Sequence, residues 1–306
     1  MPTRRAEAKA CILMGHPRHF AVTYSINPWM DPANWARDER ALAAAAADEW
    51  EELRAKLEVL GARIEVVPPA SGLPDLVFTA NSAVVLDRTA LLARFRHPER
   101  QAEEPHFAAA FHRLKARGLI DGVRTLPDGV VLEGAGDCVW DATRAQFWMG
   151  FGQRSDAAAR HAVADTFGVD VAALELADPR FYHLDTALCP LPGGEVVYLP
   201  QAFTREGRAV IHDCVAPDQR IEISEADASL LAANAVAVGD AIVMAHDASD
   251  ALRATLHERG YRVLGTRLGS FRRSGGAAFC LTLRLDWRSE VQAGRMPAAA
   301  AGRSRR

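Results

Sequence analysis

The segment Asn81-Ser-Ala-Val-Val-Leu-Asp87-Arg-Thr-Ala-Leu-Leu-Ala-Arg94 decides how this chain folds. Apolar residues flank an Asp-Arg pair on both sides, which is the pattern of a tight β-hairpin with buried strands. The same design returns along the chain. Asp137 opens a run to Gly150, Asp185 a run to Tyr198, and Asn234 a run to Met244, while Cys280 opens Leu-Thr-Leu-Arg-Leu285. These openings lie 56, 48, 49 and 46 residues apart. A recurring period near ~50 residues signals modules set round an axis rather than a doubly wound sheet.

The gaps between hairpins carry a helix and a further strand. Periodicity predicts helices over 105–117, 157–167, 224–232 and 248–259, and strands over 123–126, 171–176 and 261–264. At the start of the chain, the apolar run 10–15 reads as a strand ended by His16-Pro17. Leu42, Trp50, Leu53, Leu57 and Leu60 then recur at helical spacing over 38–60, with Gly61 as the stop. Arg63-Ile-Glu-Val-Val67 alternates and halts at Pro68-Pro69. The fifth module, beginning at Cys280, has no helix of its own and needs 10–67 to complete it. The expected fold is therefore an α/β ring of five modules with five-fold pseudosymmetry, one domain over 10–286, closed by joining both ends of the chain. Residues 1–9 and 287–306 offer little to bury and are expected as disordered tails.

The 306 residues are 49% apolar and 25% charged with a net charge of −3, so bulk electrostatics implies neither a nucleic acid nor an anionic membrane as partner. No stretch reaches the ~18 unbroken apolar residues of a membrane span. Cysteines 11, 138, 189, 214 and 280 are odd in number and scattered, without CxxC or clustered His spacing. That usage argues against a disulfide framework and a zinc site and fits a reducing cytoplasm. Nothing suggests a metal or an organic cofactor. The sequence leaves open whether the chain forms a homo-oligomer.

Five-fold symmetry has a chemical consequence. If each module sets the first residue of its hairpin near the axis, Asn81, Asp137, Asp185, Asn234 and Cys280 meet in one central cavity. Burying four polar groups and a thiol without partners would cost roughly a few kcal/mol each, which favours a ligand site there. Glu133-Gly-Ala-Gly-Asp137 and Tyr182-His183-Leu-Asp185 stand just before two of these openings. Taken singly, Glu133 reads as a solvated loop carboxylate, His183 as a satisfied structural histidine, and Cys280 as a small core hydrophobe beside Phe279. Together they supply a thiol, an imidazole and carboxylates, the parts of a nucleophilic site.

With these residues in view, the sequence resembles the guanidine-modifying superfamily, which holds arginine deiminases, dimethylarginine dimethylaminohydrolases, amidinotransferases and arginine dihydrolases on a five-bladed α/β propeller, the pentein fold. The resemblance spans residues 10–285. It is carried by Phe78-Thr-Ala-Asn81, Leu91-Leu-Ala-Arg94-Phe-Arg96, Glu133-Gly-x-Gly-Asp137, His183-Leu-Asp185 and Gly275-Gly-x-x-x-Cys280. It implies that Cys280 attacks a guanidinium carbon to form a covalent thiouronium, that His183 serves as acid and then as base, and that Glu133 binds guanidinium nitrogens and stabilises positive charge. It also implies that Asp185 grips two further nitrogens, that Asp137 belongs to the substrate-binding set, and that Arg94 and Arg154 are candidates for the substrate carboxylate. The loop 16–30 is a candidate lid, with Asn27 and Trp29 facing substrate.

Two positions choose within the resemblance. Asp185 stands where dimethylarginine hydrolases usually have Lys, which points to unmethylated arginine. Asn81 stands where deiminases have Asp, and arginine dihydrolases share its Phe-Thr-Ala-Asn context. An amide donates to a ureido oxygen that a second carboxylate would repel, so citrulline would be retained for a second attack and ornithine, ammonia and carbon dioxide released. Arginine dihydrolase is accordingly the favoured reading. A dimethylargininase, an amidinotransferase and a non-catalytic binding protein of the same fold are the alternatives, and the small-molecule partner is arginine or a methylated arginine. One departure stands out: many relatives carry His before the nucleophile, where this chain has Phe279, so the polarity beside the thiol is expected to differ.

Overall fold

The Asp87-Arg88 pair makes the predicted turn. Both residues are left-handed, with φ of 48° and 62°, as a two-residue hairpin requires. Neither is glycine. The strain is offset at Arg88, whose guanidinium takes both oxygens of Asp121 at 2.7 Å. A computed structural model of the protein describes residues 10–289.

The strands of the described residues fall into five three-stranded sheets. In chain order they are β1 (Cys11–Gly15), β2 (Arg63–Val67), β3 (Ala83–Leu86), β4 (Thr89–Leu92), β5 (Gly122–Arg124), β6 (Cys138–Asp141), β7 (Gln146–Phe151), β8 (Asp170–Glu175), β9 (Leu188–Pro190), β10 (Val196–Tyr198), β11 (Arg220–Glu222), β12 (Val236–Val238), β13 (Ala241–Ala245), β14 (Arg262–Thr266) and β15 (Leu283–Arg284). Each sheet repeats one plan: an inner strand pairs antiparallel with a middle strand, which pairs parallel with an outer one. The first blade is β3-β4-β5, and β6-β7-β8, β9-β10-β11 and β12-β13-β14 follow. The parallel pairing requires a crossover, which the helices Glu104–Ala116, Ala159–Phe167, Arg205–Cys214 and Asp250–Glu258 supply.

The fifth blade joins the two ends of the chain. β15 pairs antiparallel with β1, setting Leu13 opposite Leu283, and β1 pairs parallel with β2 across the helix Glu39–Val59. The ring is thus a five-bladed α/β propeller. Ile12, Met14, Trp50, Leu53 and Leu57 share one core cluster, so the N-terminal helix is held by the same apolar face that its spacing predicts. The inner strands β3 and β6 and the middle strands β10 and β13 are wholly buried, as strands covered on both faces must be.

Three expectations need correction. The third blade's helix is Arg205–Cys214, capped by the Thr204 hydroxyl accepting from Gly207 N at 3.1 Å, and not a helix over 224–232. Only Glu225–Ser229 is helical there. In the last module the glycine-rich stretch begins with a helical turn, Gly269–Arg272, and only Leu283–Arg284 of the anticipated strand is paired, opposite Leu13 and Ile12 of β1. Lastly, Trp287 is anchored: its carbonyl accepts from Asp87 N at 3.0 Å, and the Arg284 guanidinium lies 4.3 Å over its ring. The tail expectation for 1–9 and 290–306 falls outside the described residues. Among the described residues no helix is long and apolar enough to cross a membrane.

Candidate active site

The loops that lead into the inner strands converge at one end of the ring. Three of them tighten into single 3-10 turns at Thr79–Ser82, Gly134–Gly136 and Leu184–Thr186. A short turn at this point directs the following side chain inward, and close approach of the loops needs glycine. A Cβ on Gly136 would collide with the Asn81 amide nitrogen. The hairpin openers Asn81, Asp137, Asp185, Asn234 and Cys280 are all at most 2% exposed.

Cys280 is held by two neighbouring openers. Its Sγ donates to Asp185 Oδ2 at 3.1 Å and accepts from Asn234 Nδ2 at 3.1 Å. Asn234 Oδ1 in turn accepts from Ala277 N and Cys280 N, both at 3.1 Å, so one amide fixes the backbone of Cys280 and its sulfur. Burial, and then the Asp185 carboxylate, raise the thiol well above its ordinary range. Burial likewise pushes Asp185 up to about 7 against the hydrogen bond from Cys280. Asp185 Oδ1 is shielded from solvent and, among the described residues, has no hydrogen-bond partner. A buried orphan acceptor beside a thiol is where a donor-rich ligand fits.

His183 Nε2 lies 2.7 Å from Glu133 Oε2, and its Nδ1 faces Asn81 Nδ2 across 3.5 Å. With a carboxylate on one side and an amide N–H on the other, the neutral tautomer carries its proton on Nε2 and leaves Nδ1 as the acceptor. Burial pulls His183 down to about 4 in spite of Glu133. Against its own burial, Glu133 is held well below the usual carboxylate range by His183, Arg154 and Arg100. The resting pair is therefore a neutral imidazole on an ionised carboxylate.

The expected residues separate on inspection. Cys280, Asn81, Arg154 and Asn27 line one pocket of about 250 Å³, open to solvent on one side, together with Arg100 and Tyr182. His183, Glu133 and Asp185 each stand one hydrogen bond behind a lining residue, at Asn81, Arg154 and Cys280. Both oxygens of Glu133 are already engaged, Oε2 by His183 and by Arg154 Nη1 at 3.0 Å, Oε1 by Arg96 N at 3.1 Å. It orients an imidazole and a guanidinium rather than presenting free oxygens to a ligand.

Asp137 is not at the cavity. Its carboxyl accepts from Ser155 Oγ at 2.6 Å and Leu184 N at 3.0 Å, tying together the neighbours of Arg154 and His183. Nor is Arg94: it is spent on the carbonyls of Pro127 and Val130, at 2.6 and 2.8 Å, because the loop 126–130 passes beneath it. The loop 16–30 does cover the site. Asn27 Nδ2 donates to Ser274 O at 3.1 Å, Trp29 Nε1 to Arg180 O at 2.7 Å, and Ile26 O accepts from Arg154 Nη2 at 2.8 Å. Trp29 thus packs outward of Asn27 as a fastening.

Sequence reasoning missed Arg100, Glu103 and Asp75. Arg100 donates to both oxygens of Glu103, at 2.9 and 2.8 Å, and to Asn81 Oδ1 at 2.9 Å. Asp75 accepts from Tyr24 and Ser274 at 2.8 and 3.2 Å. The stretch Arg96-His-Pro-Glu-Arg100 reads as a solvated surface, and only a charged pair recurring at i,i+3 before a long helix hints otherwise. Phe279, expected to alter the polarity beside the thiol, instead lines a larger space of about 980 Å³ further along the inner strands. That space is mostly apolar, and its carboxylate Asp141 is already paired with Arg144 and Trp148, so the smaller cavity is the chemical one.

Comparison with known proteins follows the same lines. A profile of the family described as "N,N dimethylarginine dimethylhydrolase, eukaryotic" matches residues 17–286. The chain is 41% identical to the bifunctional arginine dihydrolase/ornithine cyclodeaminase ArgZ of Synechocystis over 90% of its length, but it spans only 37% of that protein. It is 35% identical to the N(G),N(G)-dimethylarginine dimethylaminohydrolase of Mycobacterium tuberculosis, covering 93% of this chain and 88% of that one. The crystal structure of the N-terminal domain of ArgZ bound to product, an arginine dihydrolase of cyanobacteria, superposes with a TM-score of 0.83 at 39% identity, over 92% of this chain and 99% of that domain.

Proposed function

The chain belongs to the N,N-dimethylarginine dimethylhydrolase family of guanidine-modifying enzymes, and on that premise we propose that it is an arginine dihydrolase with Cys280 as nucleophile. The observation that carries the reading is the unpartnered Oδ1 of Asp185 beside the sulfur. A planar guanidinium placed over Cys280 satisfies that oxygen with one nitrogen and takes over Oδ2 with another, forming the bidentate fork that carboxylates make with such cations. Arg154 and Arg100, at the cavity wall, suit the carboxylate at the far end of arginine, and Asn27 lines the same space.

Docking a cation beside Asp185 also resolves the thiol's resting state. The incoming positive charge favours the thiolate, and the proton it loses passes to the open Nδ1 of His183. Sulfur adds to the guanidinium carbon, the carbon–nitrogen bond breaks, and the amine leaves with that proton as ammonia. His183, neutral again because burial disfavours its charge, deprotonates a water that adds to the thiouronium, and the carbon–sulfur bond breaks. The product at this point is citrulline.

Asn81 then decides the outcome. Its –NH2 side can donate to the ureido oxygen, holding citrulline for a second attack that ends in ornithine and carbon dioxide. Two waters are consumed and two ammonia molecules leave over the whole reaction. Five free cysteines support a reducing compartment, the cytoplasm.

The test is product analysis with arginine, citrulline and asymmetric dimethylarginine. Ornithine formed from arginine without accumulating citrulline supports the proposal. Citrulline as the end product points to a deiminase, dimethylamine release to the methylarginine enzyme, and a new guanidino compound on adding glycine or lysine to an amidinotransferase. Activity that survives Cys280→Ser would remove the nucleophile from the account.

A further inference from the structure

We infer that Arg100 is a positioning residue for the Asn81 amide: clamped by Glu103, its guanidinium holds the amide oxygen and so leaves only N–H donors facing the ligand. This rests on the reading of Asn81 given above, as the group that retains citrulline.

An asparagine side chain has two nearly isosteric orientations, and only its partners choose between them. Here both partners agree. Asn81 Oδ1 meets Arg100 Nη1 at 2.9 Å, a group that can only donate, and Asn81 Nδ2 meets the Glu133 carbonyl at 3.3 Å, a group that can only accept. The reversed amide would set donor against donor and oxygen against oxygen. The second Nδ2 hydrogen faces His183 Nδ1 across 3.5 Å, a weak bond that yields to a ureido oxygen.

Arg100 has no freedom to do otherwise. Its Nε and Nη2 take the two Glu103 oxygens, Nη2 also reaches Asp75 O at 3.2 Å, and its guanidinium lies 4.4 Å over the Phe95 ring. Arg100 is 3% exposed and Glu103 fully buried. So the guanidinium plane is fixed on three sides, and the fourth is the one that meets Asn81. An arginine ligand places a donor where citrulline places its oxygen. A fixed Asn81 donor therefore helps citrulline and not arginine, while any contact of Arg100 with the ligand's carboxylate serves both alike.

Affinity for the two ligands separates these roles. In a Cys280→Ala chain, which binds without turnover, dissociation constants for L-citrulline and L-arginine are measured by calorimetry with and without Glu103→Gln. Losing one oriented hydrogen bond is worth about tenfold, so citrulline should weaken by about that factor while arginine stays within about twofold. Deleting the guanidinium outright endangers the fold, since it strands a buried carboxylate. Arg100→Lys is the second variant: it keeps the charge, cannot reach Glu103 and Asn81 together, and should weaken citrulline by about tenfold beyond any loss at the carboxylate that it shares with arginine. Equal weakening of both ligands, or no change in either, overturns the inference. If the unmodified protein turns arginine only into citrulline, the dihydrolase reading fails, yet the affinity comparison still decides what Arg100 does.

Discussion

Cys280 Sγ and Asp185 Oδ2 lie 3.1 Å apart, the thiol donating to the carboxylate. Burial raises the proton affinity of both, the carboxylate adds to that at the sulfur, and the hydrogen bond from Cys280 opposes it at Asp185, so the free protein holds a protonated sulfur. On the function proposed above, the arrangement keeps the nucleophile quiet until a cation arrives, which protects a buried thiol from adventitious reagents.

Removing that carboxylate should lower two observables at once. In Asp185→Asn the thiol loses an anionic neighbour and should titrate lower than in the unaltered protein, read from thiolate absorbance against pH. The same change deletes the guanidinium fork, so kcat/KM for arginine should fall by roughly a thousandfold, about 4 kcal/mol. A thiol that titrates higher in the variant would contradict the pairing.

The carboxyl also leaves a mark on stability. Asp185 has an ordinary value of 3.8 and sits at about 7 when folded, so between those limits the folded chain keeps a proton that the unfolded chain has released. Stability from this group therefore falls as pH rises through that window. Asp185→Asn should match the unaltered protein near pH 4 and exceed it above pH 7, by at most roughly 4 kcal/mol. Thermal melts across pH test this, and a gap that narrows with rising pH would refute it.

Asn81→Asp should change the product. A carboxylate at this place still accepts from Arg100 but offers nothing to a ureido oxygen, which it repels. Citrulline should accumulate from arginine where the unaltered protein yields ornithine, as amino-acid analysis would record. Continued ornithine without citrulline would mean that retention does not depend on the amide.

Two arginines that look alike in the sequence should behave differently. Arg94→Ala removes bonds to loop carbonyls, so stability should drop by about 1–2 kcal/mol with KM within about twofold. Arg154→Ala strips the cavity of a cation and Glu133 of its partner, and kcat/KM should fall at least about a hundredfold. Steady-state kinetics on folded samples decides between them.

Gly275→Ala tests the glycine-rich approach to the nucleophile. Gly275 has φ of +83°, and a Cβ there would come within 2.7 Å of the Tyr182 hydroxyl, which already bonds Gly275 O at 3.0 Å. Strain and clash together should destabilise the protein by roughly 1–3 kcal/mol. A variant as stable as the original in denaturant melts would show that the loop simply shifts.

Much of this was legible in the residues because local physics dictates it. The period of the hairpins, the Asp87-Arg88 turn and the helical spacing from Leu42 to Leu57 depend only on neighbours in the chain, and a last module lacking its own helix had to be completed by β1 and β2. The convergence of Asn81, Asp185, Asn234 and Cys280 followed from that symmetry. The third blade's helix was misplaced because Arg205–Cys214 is strongly polar, and Ser224-Glu-Ala-Asp presents the stronger N-terminal signal.

What the sequence by itself determined is the ring, the order of its blades and the residue types brought to the axis, since periodicity and turn chemistry are properties of segments. Only the tertiary structure decided how those side chains are spent. Whether an arginine faces a cavity, as Arg154 and Arg100 do, or a row of carbonyls, as Arg94 does, depends on which segment passes beneath it. Whether a carboxylate is free, as at Asp185 Oδ1, or committed, as at Glu133 and Asp137, depends on donors that lie from 18 to 50 residues away. Electrostatics and hydrogen bonding act through space at distances of a few ångströms, and separation along the chain carries no record of them.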